Sequence, residues 1–271
     1  VGSEMCIRDR NQTRTVDEII FLDDCSRDGS LDYARSILSD SSIDIKILAN
    51  EVNTGKVATQ WKKGIDSSRY EYAWLAEADD YCEPILIEEL ARTVSAHAGL
   101  DLSIIYCQSF MCDSLGLVGA TYFDYYANIP GIYGKIFEKD FTLSGNDFIA
   151  NLLGVTNVIP NSSACLLSRQ KLMAIDWQEL LGYRYSADWI TYLRLAQLGT
   201  IAYLSRPLNY HRRHSQSVIN SNLCKPNDLY LEARQIQESA LSIVNDPSMR
   251  AILEAASCNW LQSTFASVVT I

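Results

Sequence analysis

Basic charge is scarce in this 271-residue sequence: 23 Lys and Arg stand against 33 Asp and Glu, a formal net charge of −10. A general nucleic-acid binder needs a basic surface to displace counterions, so that class is set aside, and only a local basic pocket for one phosphorylated small molecule stays open. The eight cysteines (Cys6, Cys25, Cys82, Cys107, Cys112, Cys165, Cys224 and Cys258) form no CxxC pair, and no His/Cys cluster has zinc-ligand spacing. Most sit in apolar runs, as Cys107 and Cys165 do, and read as free buried thiols of a reducing compartment. No stretch approaches the roughly 20 apolar residues that span a bilayer, and the N-terminus has no apolar core of a signal peptide. The expectation is a cytoplasmic chain with membrane contact at most peripheral, at the inner face. Internal repeats and low-complexity segments are absent. So are GxGxxG, GxxxxGK[ST] and GxSxG, which leaves dinucleotide dehydrogenases, P-loop NTPases and α/β-hydrolases poorly supported.

What is present is a length that suits one large domain, or one domain and an extension, with a core that needs no disulfide framework. The hydrophobic share of 48% and charged share of 21% are ordinary for a globular protein. Up to residue 15 the chain is polar and aperiodic, and from Val16 the pattern changes. Glu18-Ile-Ile-Phe-Leu22 is a short apolar run that stops at Asp23-Asp24 and reads as a buried parallel strand. Asp28-Gly29-Ser30 opens a helix with Leu31, Ala34 and Leu38 on one face. Ile43, Ile45 and Ile47 alternate as a second strand, and Val57, Trp61 and Ile65 recur at helical spacing. A third strand, Tyr72–Ala76, runs into Glu77, Ala78, Asp79 and Asp80. Pro84 suits the first turn of a third helix, and Leu102–Tyr106 is a fourth strand. Strands alternating with helices across short loops predict an α/β fold, a mostly parallel central sheet with helices on both faces.

Further along, the spacing predicts a helix over Asp147–Leu153, a strand at Ala164–Leu167 introduced by Asn161-Ser-Ser163, and an amphipathic helix over Ala187–Leu198. A strand at Ile201–Leu204 leads to the cationic segment Tyr210-His-Arg-Arg-His214, and the chain is helical from about Asn227. Ligands of such sheets bind beyond the carboxyl ends of strands, where both acidic clusters fall. Asp23, Asp24, Asp79 and Asp188 are therefore expected to line one cleft. Asp79 and Asp80 are hard oxygen ligands of the kind Mg²⁺ or Mn²⁺ takes, and such an ion suits a diphosphate that gains charge as it leaves.

Five segments, in order, resemble the family 2 glycosyltransferases of the GT-A fold. Glu18-Ile-Ile-Phe-Leu-Asp-Asp-Cys-Ser-Arg-Asp-Gly-Ser30 is similar to the nucleotide-binding signature, and Asn53-Thr-Gly55 with the Lys62-Lys-Gly64 helix to the second segment. Trp74-Leu-Ala-Glu-Ala-Asp-Asp80 looks like the Asp-x-Asp motif, and Ala187-Asp188-Trp189 like the segment that carries the base. Arg206-Pro-Leu-Asn-Tyr-His-Arg-Arg-His-Ser-Gln-Ser217 looks like the closing Tyr-Arg-x-His-x-x-Ser motif. Together they cover about residues 11–218. The resemblance implies a Rossmann-like GT-A domain over 1–218 with a helical extension over 219–271. It implies inverting transfer of a sugar from a nucleotide-diphosphate sugar to a hydroxyl of a glycan or lipid-linked glycan, in cell-surface polysaccharide or glycan synthesis. By the same resemblance Asp23 contacts the base, and Asp24, Ser26 and Lys56 belong to the nucleotide pocket. Glu77 and Ala78 lie by the ribose and diphosphate, and Asp79 holds Mn²⁺ or Mg²⁺. His214 is a further metal ligand or touches the diphosphate, Arg212 and Arg213 neutralise phosphate, and Asp188 takes the acceptor proton. The aromatic stretch 113–145 is then either an acceptor-facing loop or a packed surface loop.

The sequence departs from the family at three places. The Asp-x-Asp motif reads Glu77-Ala78-Asp79, and Ala187 stands where the family has an acid before the base. The family's opening strand, of the Val-Ile-Pro-Thr-Tyr-Asn type, has no counterpart, although Asn11-Gln-Thr13 fits the end of the helix that follows it. Val1–Arg10 resembles the adaptor-like runs that head some environmental gene predictions. The expectation is a piece lacking a core strand and part of the nucleotide pocket. The competing reading is a degenerate GT-A module that holds a glycan or partner without turnover. A third, weaker one is a metal-dependent phosphohydrolase or nucleotidyltransferase using the same carboxylates.

Overall fold

A computed structural model of the chain describes residues 11–38, 43–129, 132–213 and 225–266. Strand β1 (Glu18–Asp23) pairs in parallel with β2 (Asp44–Ala49), and α1 (Ser30–Leu38) makes the crossover. Its start is set by Asp28, whose carboxylate accepts from the N–H and Oγ of Ser30 at 3.1 and 2.6 Å. Helix α2 (Val57–Ser67) buries Ala58, Trp61, Gly64 and Ile65. A Cβ on Gly64 would sit 2.9 Å from Leu22 Cδ1, so glycine is what lets α2 lie close on β1.

A second sheet of seven strands forms the centre. Strands β3 (Tyr72–Ala73), β4 (Tyr81–Cys82), β5 (Leu102–Cys112), β8 (Cys165–Ser168) and β9 (Thr200–Arg212) lie in the order β3-β8-β5-β9-β4. On its margins β6 (Val118–Thr121) pairs with β5 and β7 (Phe141–Ser144) with β9. Its spine is the long parallel ladder of β5 and β9, and its other pairings are antiparallel. The sheet is thus mixed rather than mostly parallel. Strands β4 and β8 run antiparallel to β9 and β5 although long stretches of chain separate the partners. Strand β3 is shorter than the apolar run predicts because the polar turn at 161–164 takes over its partners: Ser162 Oγ donates to the Leu75 carbonyl at 2.8 Å and Trp74 Nε1 to the Ser163 carbonyl at 2.8 Å. Strands β5 and β9 are longer than predicted. Polar residues end their apolar runs but are themselves buried and paired: Gln108 Nε2 reaches Tyr203 Oη at 2.9 Å and Asn209 Nδ2 reaches Ser109 Oγ at 2.9 Å.

Helix α3 (Leu86–Ala96) and the short α4 (Tyr122–Tyr126) pack on this sheet. Helix α5 (Gly145–Phe148) runs on as a π turn over Ile149–Leu153, and α6 (Arg169–Ala174) and α7 (Trp177–Leu180) follow β8. Helix α8 (Ala187–Gln197) is almost wholly buried. Gly145 meets its end so closely that a Cβ there would lie within 2 Å of the Ala196 carbonyl oxygen, at 1.6 Å. Helices α9 (Pro226–Ile243) and α10 (Pro247–Thr264) close the chain. Ala233, Ile236, Leu253 and Trp260 belong to the same hydrophobic cluster as Ile104 and Leu193. Trp189 of α8 meets Trp260 edge-on at 5.8 Å and donates its indole N–H to the Leu153 carbonyl at 2.8 Å. The boundary expected at 218/219 lies outside the described residues. Among the described residues no helix is long and apolar enough to cross a membrane.

The two sheets share no strand ladder among the described residues. Between β1 and the Tyr72–Leu75 segment, and walled by Trp61 of α2 and Ile87 and Val94 of α3, is a cavity of about 720 Å³.

Because Trp260 is anchored in the common core, Trp260→Ala should cost about 3–5 kcal/mol and lower a single melting transition by roughly 6–15 °C. A variant that melts in two steps, the first involving only α9 and α10, would show that these helices are a separate unit.

Candidate active site

Asp23 and Asp24 end β1, and the loop after them is tightly bent: Cys25 has φ +64° and Gly29 φ +82°. Asp23 is buried, and its carboxylate accepts from the Ser26 N–H at 3.1 Å. Asp24 is the hub of the adjoining loop. Its two oxygens accept from Asn50 Nδ2 (2.8 Å), Thr54 N and Oγ1 (both 2.9 Å), Gly55 N (3.1 Å) and Gln60 Nε2 (2.9 Å). Burial pulls this carboxyl upward, but the bonds from Thr54, Asn50 and Gly55 outweigh it and hold the group below the ordinary aspartate range. With its oxygens so engaged, Asp24 shapes the loop between β2 and α2. Asp23, Ser26 and Ala78 border the cavity between the sheets, which brings these three predicted nucleotide residues to one place. Lys56 points elsewhere: its ammonium donates to the Leu181 carbonyl at 2.9 Å, tying the start of α2 to the loop before α8.

The acidic group after β3 is compact. One carboxylate oxygen each from Glu77, Asp79 and Asp80 lies within 4.8 Å of the others. Asp80 is the buried member, at 2% exposure. It accepts from Asn161 Nδ2, from Ser163 Oγ at 2.7 Å and from the Arg212 N–H at 3.0 Å. Asn209 Nδ2 supports this set by donating to Asn161 Oδ1 at 2.8 Å. Ser162 Oγ reaches Glu77 Oε1 at 3.2 Å, and the Glu77 N–H reaches Ser163 Oγ at 2.9 Å. Removal from water, together with the charges of Asp80, Asp79 and Asp188, raises the Glu77 pKa above the usual carboxylate range. Three hard oxygens this close fit a divalent cation.

Asp188 lies in the first turn of α8. Its Oδ2 accepts from Asn157 Nδ2 at 2.9 Å and its Oδ1 from the Trp189 N–H at 2.8 Å. Burial raises its pKa from 3.8 to about 6 against these bonds, and Glu232 adds to the rise. That Asp188 also raises Glu77 places the two in one electrostatic neighbourhood. Of the cationic segment, Tyr210, His211 and Arg212 form the end of β9, where His211 and Arg212 pair with Met111 and Cys112 of β5. Arg212 lies over the Tyr81 ring at 5.8 Å, Tyr122 Oη meets His211 Nδ1, and Arg213 is exposed. His214 lies outside the described residues. Asn157, Asn161, Ser162, Ser163 and Gln60 were not legible as site residues. Asn161-Ser-Ser163, a polar triplet before an apolar strand, was the one visible signal.

Residues 7–119 match the family model "Glycosyl transferase family 2". Over that stretch the chain is similar in sequence to the family 2 glycosyltransferases. Its fold resembles the 1–349 fragment of S. aureus TarS in complex with UDP, with TM-score 0.64 and 14% identity, over 97% of this chain and 68% of that one. The same fragment in a second structure gives TM-score 0.64 and 14% identity over 99% and 69%. A structure of S. aureus TarS gives TM-score 0.67 and 15% identity over 97% of this chain and 41% of that one. These likenesses show the α/β, GT-A-like fold. No curated protein matches the chain in sequence.

Asp80→Ala would strand the buried donors of Asn161, Ser163 and Arg212. Each unsatisfied group costs about 1–3 kcal/mol, so urea unfolding should show a loss of several kcal/mol. A loss below about 1 kcal/mol would mean that water replaces the carboxylate without difficulty.

Proposed function

We propose that the chain is an inverting transferase that moves a sugar from a nucleotide-diphosphate donor to a hydroxyl acceptor, a glycan or lipid-linked glycan of cell-surface synthesis. The observation that carries the reading is the compact Glu77/Asp79/Asp80 group after β3, on whose Glu77 the charge of Asp188 of α8 also acts. A carboxyl raised by burial is thus paired with a cation-type acidic group in the proposed site. Asp23, Ser26 and Ala78 line one cavity that could take the nucleotide, and UDP, seen with S. aureus TarS, is the first probe to try.

In the transfer, Asp188 accepts the proton of the acceptor hydroxyl. The hydroxyl oxygen bonds to the anomeric carbon from the face opposite the diphosphate as the carbon–oxygen bond to the diphosphate breaks, and the configuration inverts. Asn157 and the Trp189 N–H hold the carboxylate in place for this step. A divalent cation, Mn²⁺ or Mg²⁺, on Asp79 and Glu77 would supply charge neutralisation to the departing diphosphate. Arg213 is exposed at the end of β9 and available to phosphate.

A thermal-shift screen of nucleotide sugars and UDP, with Mn²⁺ or EDTA, tests the donor side. Mn²⁺-dependent stabilisation that Asp79→Ala abolishes is expected, and equal affinity in EDTA would overturn it. With the donor in hand, Asp188→Asn should lower transfer by about 10²–10⁴-fold and leave UDP affinity unchanged. Near-full transfer in that variant would remove Asp188 as the base.

The raised pKa of Asp188 sets two pH dependences. The base form exists above about 6, so the transfer rate should climb as pH rises through that value and level off beyond it. For stability the sign is opposite. A folded-state pKa above the ordinary 3.8 means folding favours the protonated form, so stability falls as pH rises from about 4 to about 6. Asp188→Asn should therefore melt higher than the unaltered protein at pH 7 and lose that advantage at pH 4.

A further inference from the structure

Helix α8 begins without a cap of its own. Ser186 occupies the N-cap position, yet its side chain makes no capping bond. The donors that precede the helix are instead satisfied from α9. Glu232, seven residues into that helix, accepts from three consecutive backbone N–H groups: Arg184 N at 2.7 Å on Oε1, and Tyr185 N at 2.9 Å and Ser186 N at 2.8 Å on Oε2. Consecutive N–H groups converging on one point form an anion-binding concavity, and a carboxylate fills it better than a neutral group. The residue two places beyond Ser186 is Asp188.

We propose that Glu232 is a positioning residue for the transfer reaction, holding Asp188 in place by gripping the 184–186 backbone from the C-terminal helix. The proposal rests on Asp188 being the base. A general base works only within hydrogen-bond reach of the proton it takes, and a misplacement of about 1 Å can cost 10²-fold in rate. Asn157 and the Trp189 N–H fix the orientation of the carboxylate once α8 is in place; they do not fix where α8 starts. Lys56 secures the far end of the same loop at the Leu181 carbonyl, so the loop is held at both ends and the grip nearer the base is Glu232. Helix α9 thereby becomes part of the catalytic apparatus even though no side chain of it need touch substrate.

The test compares Glu232→Ala and Glu232→Gln in the full chain, using the donor returned by the screen and UDP with Mn²⁺ as the binding probe. Glu232→Ala should speed amide hydrogen exchange at 184–186 at least tenfold and lower kcat by about 10–100-fold. The donor KM and the UDP affinity should stay within twofold. Glu232→Gln, which keeps an acceptor oxygen, should recover most of the lost kcat. A folded Glu232→Ala with kcat within twofold of the unaltered protein would overturn the proposal. So would a loss of kcat and UDP affinity in parallel, or a Gln variant as impaired as the Ala variant. If the unaltered protein turns over no donor, the functional reading itself fails. Exchange at 184–186 then decides the grip separately, and unchanged exchange in Glu232→Ala refutes it.

Discussion

A carboxylate taken out of water must be given hydrogen bonds or lose its charge, and Asp80 is where that requirement organises the protein. Its donors come from two places far from it in sequence, the turn at Asn161–Ser163 and the end of β9 at Arg212, and Asn209, also on β9, supports Asn161. Satisfying one buried charge therefore locks the loop after β3 against the tips of the central strands. Glu77 and Asp79, which precede Asp80 directly in the chain, are held close to it by that anchoring. Within this one acidic run, the innermost acid thus carries much of the structural anchoring.

The same crowding makes the site costly to fold. Glu77 and Asp188 are each held above their ordinary carboxyl range, Glu77 by burial and its acidic neighbours, Asp188 by burial and the nearby Glu232. Such clusters persist where the repulsion is useful, because a cation or a proton donor that enters is drawn in by the strain it relieves. Asp24 shows the contrast. It is an equally conspicuous acid at a strand end, but its hydrogen bonds depress its pKa, and its part is to shape a loop.

The regular elements were legible because local pattern and burial agree in them. The run at 18–22, the Val57/Trp61/Ile65 spacing and the 187–198 helix all appear close to their expected bounds. The misjudged elements share one cause, polar residues that are buried and paired with partners invisible in the sequence. Gln108 and Ser109 lie beyond the expected strand at 102–106 and Asn209 beyond that at 201–204, yet each finds a hydrogen bond across the sheet and the strands run on. Conversely, Trp74 and Leu75 looked like strand and were diverted to the serine turn. The strand-tip acids Asp23, Asp24, Glu77 and Asp79 stood out in the sequence. Asn157 and Glu232 did not, since nothing about an isolated amide or one more helical glutamate announces that it faces Asp188 or the backbone before it.

The cavity between the two sheets bears on how the molecule opens. Strands β1 and β2 carry Asp23 and Asp24, yet they are joined to the rest by the packing of α2 and α3 rather than by a shared ladder. The small cluster of Phe21, Ala34 and Leu38 that α1 builds with them is separate from the main core. Such a unit detaches at a free energy below that of global unfolding. A nucleotide seated on Asp23 would bind only the docked form and shift this local equilibrium by mass action. Proteases would then cleave the α1–β2 region of the unliganded protein first, and the nucleotide would protect that region before it changed the resistance of the core.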